Sequence, residues 1–206
     1  MVKTLSADDK KALADAITEA ERQTSLELVV VMAPASDPYQ SYLLIYGLIL
    51  GSLIGMVLWS LNLVTGFPFL FAIQLSVVMI LSFIPQLRSL WIKLVPKNIQ
   101  QYRTKQRAYE EYFTISHQVS ATIPIVLLYI SIAEHYVHII PSRLVREKIS
   151  EEHWNNLVNE LTTTIGAQGI KMACIQTIQH ITDILKPHFP EKGEQNSLSE
   201  TIVEVN

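Results

Sequence analysis

The sequence contains a single cysteine, Cys174, among its 206 residues. One cysteine cannot form an intramolecular disulfide, so the sequence gives no argument for an oxidising compartment. Charged residues are also scarce, at 17% of the chain, where soluble domains have about a quarter. The formal net charge is -3. Proteins that bind nucleic acid need a basic excess to neutralise phosphates, so this composition argues against nucleic acid as a partner.

The scarcity of charge is most marked in one stretch. No Asp, Glu, Lys, Arg or His occurs between Tyr42 and Leu87, over 46 residues. Two apolar runs, 42–61 and 69–87, lie within it, and each is about the twenty residues that a helix needs to cross the hydrocarbon core. Gly66 and Pro68 between them favour a chain reversal. The alternative is a buried helical hairpin in a soluble core, but a soluble domain of this size seldom has so long an uncharged stretch. We therefore expect a two-helix transmembrane hairpin.

A glycine repeat marks one face of the first apolar run. Gly47, Gly51 and Gly55 recur every four residues, which places them on one side of a helix, where another backbone can approach closely. The pattern predicts packing against the second run or against another protomer. It thus leaves open self-association, or contact with other membrane proteins, through this face.

Basic residues set the expected orientation. Six of them follow the second run before the next acidic residue: Arg88, Lys93, Lys97, Arg103, Lys105 and Arg107. The positive-inside rule places this flank, and therefore both termini, in the cytoplasm, with the protein in a bacterial inner membrane. The segment RSLWIKLVPK is amphipathic, so we expect Arg88, Lys93, Lys97 and Arg103 to lie at the membrane interface, and the lipid bilayer to be a partner.

The remaining sequence predicts an α/β domain. Helical patterns run from Ser6 to Arg22, from Ile99 to Ser116, from Ser150 to Gly166 and from Ile170 to Pro187, and strand patterns occupy 26–33, 125–132 and 136–141. Neither side of the hairpin has enough elements to fold alone. We therefore expect 1–40 and 89–190 to form one domain, interrupted by the transmembrane hairpin 41–88 and followed by a flexible tail, 191–206.

Three segments carry a resemblance to a known family. AITEAERQTSLELVVVMAPASDPY, PIVLLYISIAEHYVHIIPSRLVREKISEEHWNNLVNEL and IQTIQHITDILKPHFP resemble the TPM domain, in particular its membrane-bound bacterial members with two helices inserted after the first strand. The matching residues, in order, are Glu21, Thr24, Asp37, Tyr39, Ala133, Glu134, Trp154, Phe189 and Pro190. The resemblance implies a sheet flanked by helices. It also implies roles as diverse as accessory subunits of membrane complexes and a phosphatase attributed to photosystem II repair.

Some relatives are thought to bind a divalent ion through acidic loops at the sheet edge, and this sequence departs from them. Where they commonly have an Asp-containing loop after the second strand of the pair, this chain has Pro141-Ser142-Arg143. The change removes a hard oxygen ligand and adds a positive charge, both unfavourable for Ca²⁺ or Mg²⁺. Asp37, Tyr39 and Glu134 remain as candidate functional residues at the rim of the sheet.

No other pattern predicts a reaction. The six histidines show none of the spacings typical of zinc ligands, and Cys174 lies on the apolar stripe of a helix, as expected for a core residue. No catalytic residue is identified, and neither a metal nor another cofactor is expected. The sequence favours a non-catalytic, membrane-anchored interaction or assembly factor. The alternative is an enzyme, a phosphatase that depends on a divalent metal such as Ca²⁺ or Mg²⁺.

Overall fold

The computed structural model describes residues 6–83, 92–120 and 122–191, together with the backbone of 202–204. The chain divides into two compact units. The sheet unit comprises Met1–Ser36 and Gln101–Asn206, and the hairpin unit comprises Asp37–Gln100. Arg88, the end of the second predicted apolar run and most of the predicted flexible tail lie outside the described residues.

The described elements follow the order expected of an interrupted α/β domain. They are α1 (Ala7–Gln23), β1 (Glu27–Ala33), α2 (Gln40–Ser60), α3 (Phe67–Phe83), α4 (Lys97–Ser116), β2 (Ile125–Ser131), β3 (Tyr136–Pro141), α5 (Arg143–Arg146), α6 (Glu151–Gln168), α7 (Ile170–Leu185) and β4 (Ile202–Glu204). The predicted α/β class is confirmed.

The strands form one mixed sheet in the order β3-β2-β1-β4. β1 runs parallel to β2, with Glu27 opposite Ile125 and Ala33 opposite Ser131, and β3 pairs antiparallel with β2. The sequence predicts a flexible tail, but Ile202–Glu204 of that tail form β4, which pairs parallel with β1. Ile202 and Val203 are β-branched residues, which favour strands. The strand that they form pairs with the edge of β1 that β2 does not occupy.

Both faces of the sheet are covered. Every residue of β1 and β2 is buried, which explains their nearly continuous apolar sequences. Side chains alternate between two clusters: Leu28 and Val30 pack with α1, α6 and α7, while Val29 and Val31 pack with α4. The result is three layers, with α4 alone among the described helices on its side of the sheet.

The first helix begins where its capping residues predict. Ser6 Oγ accepts a hydrogen bond from the Asp9 backbone N–H at 3.1 Å, and the Asp9 carboxylate accepts one from the Ser6 backbone N–H at 3.3 Å. This capping box satisfies two N–H groups that a helix start leaves without partners. Lys171 of α7 also forms an ion pair with Asp9 at 3.1 Å, which ties the start of α1 to a neighbouring helix.

The end of α6 corrects one prediction. Gly166 was expected to end the helix, but it lies within it, and the helix continues to Gln168. Gly169 ends it instead, with φ +86°. Of the two glycines, Gly166 and Gly169, it is Gly169 that has the positive φ which favours glycine over other residues.

α4 leaves much of the face that carries its larger apolar side chains exposed. Tyr102 and Phe113 are 64% and 57% exposed, whereas Thr104, Ala108 and Ile115 are buried. The small Ala108 side chain allows the helix to lie close to the strands, where it packs with Leu127 and Tyr129. Large side chains on the strands fill the space that large side chains on the helix would otherwise occupy.

The hairpin unit contains two adjacent apolar helices. α2 has 21 residues and is about 31 Å long at 1.5 Å per residue. Among the described residues, α2 is the one helix long and apolar enough to cross a membrane. α3 is as apolar but has 17 described residues. The described chain therefore supplies one of the two expected spanning helices in full length.

The glycine repeat of α2 packs against α3 of the same chain. A Cβ at Gly51 would stand 2.8 Å from Gln74 Cα, and one at Gly47 would stand 3.0 Å from Val78 Cγ2. Gly55 faces Leu70 in the same way, at 3.2 Å. The glycine face is therefore covered within the chain. Packing against the second apolar run and packing against another protomer were both expected, and the structure has the first.

Candidate functional site

The polar side chains of the sheet unit converge beyond the ends of β1 and β2. Because these strands are parallel, their carboxyl ends meet at the same edge of the sheet. The chain continues the pairing past both strands: the Ile132 N–H donates to the Ala33 carbonyl and the Ala133 N–H to the Pro34 carbonyl, each at 3.0 Å. This edge is thus formed by two connections that are hydrogen-bonded to each other.

Glu134, one of the predicted rim residues, lies at the centre of this edge and is 5% exposed. One carboxylate oxygen accepts a hydrogen bond from the Ser36 backbone N–H at 2.9 Å, and the other accepts one from Ser131 Oγ. The next residue, His135, has φ +57° and completes the tight turn to β3. Both oxygens of Glu134 therefore join the connection after β1 to the turn after β2.

Tyr129 extends the same cluster into the sheet. Its side chain is fully buried, and its hydroxyl lies 3.1 Å from Ser36 Oγ, with which it shares a hydrogen bond. Burial raises the pKa of Tyr129, and the negative charge of Glu134 raises it further. A phenol with a raised pKa stays protonated at neutral pH. Tyr129 is therefore suited to structural hydrogen bonding rather than to acting as a base.

A salt bridge on α4 lies near this cluster. Arg107 Nη2 is 2.9 Å from a Glu111 carboxylate oxygen, and the Glu111 side chain is only 14% exposed. Both groups act on Tyr129 electrostatically: Arg107 lowers the pKa of the phenol and Glu111 raises it. Because their effects oppose each other, the pair does not activate the tyrosine.

His138 lies beside Tyr129 on the neighbouring strand, directly opposite it in the β2–β3 register. Its Nε2 atom is buried and has no hydrogen-bond partner in the part of the chain that the structure describes. Burial lowers the pKa of His138, and the positive charge of Lys105 lowers it further. The imidazole is therefore neutral at physiological pH.

The other two predicted rim residues, Asp37 and Tyr39, belong to the hairpin unit. The Tyr39 N–H donates to Asp37 Oδ1 at 2.6 Å, and Tyr39 has φ +51°. The Tyr39 carbonyl then accepts hydrogen bonds from the N–H groups of Tyr42 and Leu43, both at 3.1 Å. Asp37 and Tyr39 thus direct the chain into α2, while Glu134 forms its cluster with residues of the sheet unit.

The loop Pro141-Ser142-Arg143 lies at the opposite edge of the sheet from Glu134. The Ser142 N–H donates to the Ile125 carbonyl at 2.8 Å, and Ser142 Oγ accepts from the Ile125 N–H at 3.2 Å. Ile125 begins β2 and Ser131 ends it, a separation of about 20 Å at 3.3 Å per residue. Glu134 and this loop are therefore too far apart to bind one metal ion together.

Arg143 in that loop is exposed and forms an ion pair with Glu147, at 3.1 Å, one helical turn further on. The carboxylate of Glu147 thus already has a cationic partner. Among the described residues, no group of three or more His, Cys, Asp or Glu side chains lies close enough together to hold a metal ion. Cys174 is buried, and burial raises its pKa to about 12, which fits the predicted core role.

Two predicted interface residues, Lys93 and Lys97, are exposed on a segment that packs onto α2. Tyr46 of α2 donates its hydroxyl to the Leu94 carbonyl at 3.1 Å. Gln100 donates its side-chain amide to the carbonyl of Val95, at 3.0 Å, and to that of Ile92. The basic segment is thereby fixed near the first turns of α2. Arg103 is exposed in the sheet unit.

The comparisons with known proteins show the fold but no family and no function. The sequence matches no protein-family model and no curated protein. It is similar to one solved structure, described as an NMR structure of BA42 protein from the psychrophilic bacterium Bizionia argentinensis sp. nov.. The TM-score is 0.61 at 16% sequence identity, over 98% of this chain and 97% of that chain. At this identity the likeness shows the fold alone, a mixed α/β architecture.

Sequence reasoning identified Glu134 but missed its partners. Ser36 and Ser131 are common residue types with no motif around them, and Tyr129 lies in the middle of an apolar strand. One signal could have found them. In a parallel pair of strands, polar residues just after each strand meet at one edge, and Ser36 and Glu134 follow β1 and β2 in that way.

Proposed function

We propose that this chain is a membrane-anchored domain of the TPM type in a bacterial inner membrane. Its sheet unit lies in the cytoplasm and serves as a non-catalytic interaction or assembly factor. The observation that carries the proposal is the distribution of side chains in the hairpin unit. Large apolar side chains lie on its outside, and glycines and hydrogen-bonded polar side chains lie between its two helices.

Large apolar side chains cover the outside of the hairpin unit. Several from both helices are more than half exposed: Ile45, Ile49, Leu53, Met56, Phe69, Met79, Ile80 and Phe83. A soluble monomer rarely exposes so extensive an apolar patch. Only 17% of the most apolar window of α2 is buried, so the helix is not the core of a soluble fold. Such an apolar surface is unfavourable in water and favourable in contact with lipid.

Polar groups within the hairpin unit are paired. Gln74 of α3 donates to Ser52 Oγ of α2 at 2.6 Å, and Ser52 in turn donates to the Leu48 carbonyl at 2.8 Å. The hydroxyls of Ser76 and Ser82 also donate to carbonyls one turn earlier. Unpaired polar groups in hydrocarbon cost several kcal/mol, so this pairing is what a membrane hairpin requires.

The two ends of α2 differ in the way that the proposed orientation needs. Lys93 and Lys97 lie on the segment bound near its first turns, while Trp59 in its last turn is 60% exposed. The positive-inside rule assigns the basic end to the cytoplasm, and tryptophan suits the opposite interface. A return crossing by α3 then keeps both halves of the sheet unit in the cytoplasm.

The polar cluster of the sheet unit supports the non-catalytic assignment. Glu134 is 5% exposed and its two oxygens already accept hydrogen bonds. The buried Tyr129 has a raised pKa. A general base or metal ligand must be accessible to substrate or ion, whereas these groups are buried and their hydrogen bonds hold two connections together. No observation specifically favours the phosphatase.

A melting curve and an activity assay on detergent-solubilised protein test this function. Ca²⁺, Mg²⁺ or Mn²⁺ at millimolar concentration is expected to leave the melting temperature within about one degree of the chelator-treated sample, because binding would otherwise stabilise the fold by mass action. No hydrolysis of an aryl phosphate is expected. A rise of several degrees with one ion, together with turnover that Glu134→Gln abolishes, would establish the enzyme instead. Glu160→Gln, at an exposed carboxylate, is the matched control.

A further inference from the structure

We propose that the solvent-facing side of α4 is a self-association surface, on which α4 of a second copy of this chain packs antiparallel. We call this surface the aromatic stripe. It consists of Tyr102, Gln106 and Phe113, which are exposed, and of Tyr109, which is half-buried and also packs against the sheet. The inference goes beyond the proposed membrane function and does not depend on it, since every residue of the stripe belongs to the sheet unit.

The aromatic stripe is unusually apolar for an exposed helix face. Tyr102 is 64% exposed and Phe113 57% exposed, although the same helix buries Thr104 against the sheet. An open groove of about 390 Å³ runs along the stripe, lined by Tyr102, Lys105, Gln106, Tyr109, Glu110 and Phe113. Exposed aromatic residues around a groove are the typical anchors of protein interfaces.

The spacing of the stripe is that of a helix–helix seam. Its residues follow one another at intervals of four, three and four, the repeat that keeps apolar positions on one side of paired helices. The stripe is also symmetric about a point between Arg107 and Ala108. When two copies of α4 pair antiparallel about this point, Tyr102 of each faces Phe113 of the other, and Gln106 faces Tyr109. Such self-complementarity is what a two-fold interface requires.

Charges beside the stripe favour the same arrangement. Arg103 and Glu110 are seven residues apart, so they lie on the same flank of the stripe. In the antiparallel pair, Arg103 of each copy lies within about one helical turn of Glu110 of the other, which gives two symmetric ion pairs. Glu110 also pairs with Arg107 of its own helix, at 3.3 Å. In a parallel pair the same flank of the two copies would lie on opposite sides of the seam, so Arg103 of one copy would not meet Glu110 of the other. The flank carries both signs, whereas an anionic lipid surface would select a basic one, so a second copy is the better occupant.

Charge reversal tests the pairing in full-length protein in mild detergent, with molar mass measured by light scattering across a concentration series. The native protein is expected to dimerise. Arg103→Glu and Glu110→Arg are each expected to weaken dimerisation at least about tenfold, because attraction becomes repulsion in both pairs. The double variant Arg103→Glu/Glu110→Arg restores opposite charges and is expected to recover dimerisation. Melting curves check that each variant is folded.

Cysteine cross-linking tests the direction. One copy carries Tyr102→Cys and a differently tagged copy carries Phe113→Cys. The two positions are about 16 Å apart along one helix, too far for a disulfide, whose Cα atoms lie within about 7 Å. Cross-links between unlike copies are therefore expected, and cross-links between like copies are not. The native Cys174 is buried with a pKa of about 12, so it stays unreactive.

The outcomes separate the possibilities. A dimer that cross-links between unlike copies, and that the single reversals weaken and the double reversal restores, establishes the interface. Met172→Cys, at a residue 42% exposed on α7, is the control and should not cross-link. A protein that is monomeric at all concentrations would overturn the proposal. So would cross-linking between two Tyr102→Cys copies, or a dimer indifferent to both reversals. The membrane proposal would stand in each case, since none of these results concerns α2 or α3.

Discussion

The two units of this chain have opposite arrangements of polarity. In the sheet unit, large apolar side chains such as Val30 and Leu128 are fully buried, and charged residues such as Glu152 on α6 are exposed. In the hairpin unit, glycines such as Gly51 are buried, and large apolar residues such as Ile49 are exposed. Each arrangement is favourable in a different solvent.

Under the proposed membrane location, the difference also indicates what drives packing in each unit. Burial of apolar area from water stabilises the sheet unit, at about 25 cal/mol per Å². Lipid is as apolar as the side chains of α2 and α3, so that driving force is absent between helices in a bilayer. Close backbone contact at Gly47 and Gly51, and the bond from Gln74 to Ser52, replace it.

The same substitution in the two units gives the strongest contrast. Val30→Asp places an unpaired charge at a fully buried site in β1 and is expected to lower the free energy of unfolding by more than about 4 kcal/mol. Ile49→Asp lies near the middle of α2 at a site 53% exposed. In water it would change little, but in a membrane it is expected to disfavour insertion by about 3 kcal/mol.

Two measurements check this pair. Thermal melting in detergent should detect the effect of Val30→Asp, and resistance of membranes to alkaline extraction should detect that of Ile49→Asp. Leu63→Asp, in the connection between α2 and α3, is the control and should extract like the native protein. An Ile49→Asp protein that inserts normally would remove the contrast between the units.

The effect of replacing a glycine of α2 by alanine should depend on which atoms of α3 lie opposite it. Gly51→Ala places a Cβ 2.8 Å from the backbone of Gln74, so the helices must separate, at about 1–3 kcal/mol. Gly55→Ala meets the flexible end of Leu70 at 3.2 Å, and is expected to cost less than half as much. Melting of the two variants in the same detergent checks the difference. Equal melting temperatures would show that α2 and α3 are less closely packed than described here.

The edge of the sheet offers a smaller test. Glu134→Leu removes both acceptor oxygens and keeps a side chain of similar size. The Ser36 N–H and the Ser131 hydroxyl then lose their buried partner, and the expected loss is about 1–3 kcal/mol. Denaturant unfolding measures it. Glu160→Leu, which removes an exposed partner of His180, should cost no more than about 1 kcal/mol. Equal effects would mean that Glu134 does not hold the two connections together.

The smallest expected effect is a dependence on pH from His138. Burial lowers its pKa below the ordinary value of 6.5, so the unfolded chain binds the proton more readily. Stability is therefore fully present above about pH 6.5 and falls as the pH drops through the lower pKa of the folded state. His138→Gln should flatten this part of the stability profile, and His117→Gln, at an exposed site, should not. Urea unfolding between pH 5 and 8 checks the slope.

Local patterns predicted most of the fold. The helical pattern from Ser6 predicted the start of α1, and the strand patterns at 26–33 and 125–132 predicted β1 and β2. These features depend on residues close in sequence, or on a period that the sequence displays directly. The glycine repeat likewise predicted one close helix contact, which the structure assigns to α3.

Features that depend on distant residues were not predictable in the same way. The hydrogen bonds of Glu134 reach back to Ser36, 98 residues earlier, and no local pattern encodes such a contact. The exposure of Tyr102 depends on which face of α4 packs against β2. The sizes of the strand side chains determine that face, and they lie far from α4 in the sequence. The short strand at Ile202–Glu204 forms because β1 has an open edge, which the tail sequence alone cannot show.

Labelling of intact cells tests the central claim, that the hairpin unit spans the membrane and the sheet unit is cytoplasmic. Thr65→Cys lies between α2 and α3, and Asn156→Cys lies at an exposed site on α6. With a membrane-impermeant maleimide, Thr65→Cys is expected to label in intact cells, and Asn156→Cys only after the membrane is opened. Labelling of Asn156→Cys in intact cells would show that α3 does not return the chain, and recovery of the native protein in the soluble fraction would contradict the account as a whole.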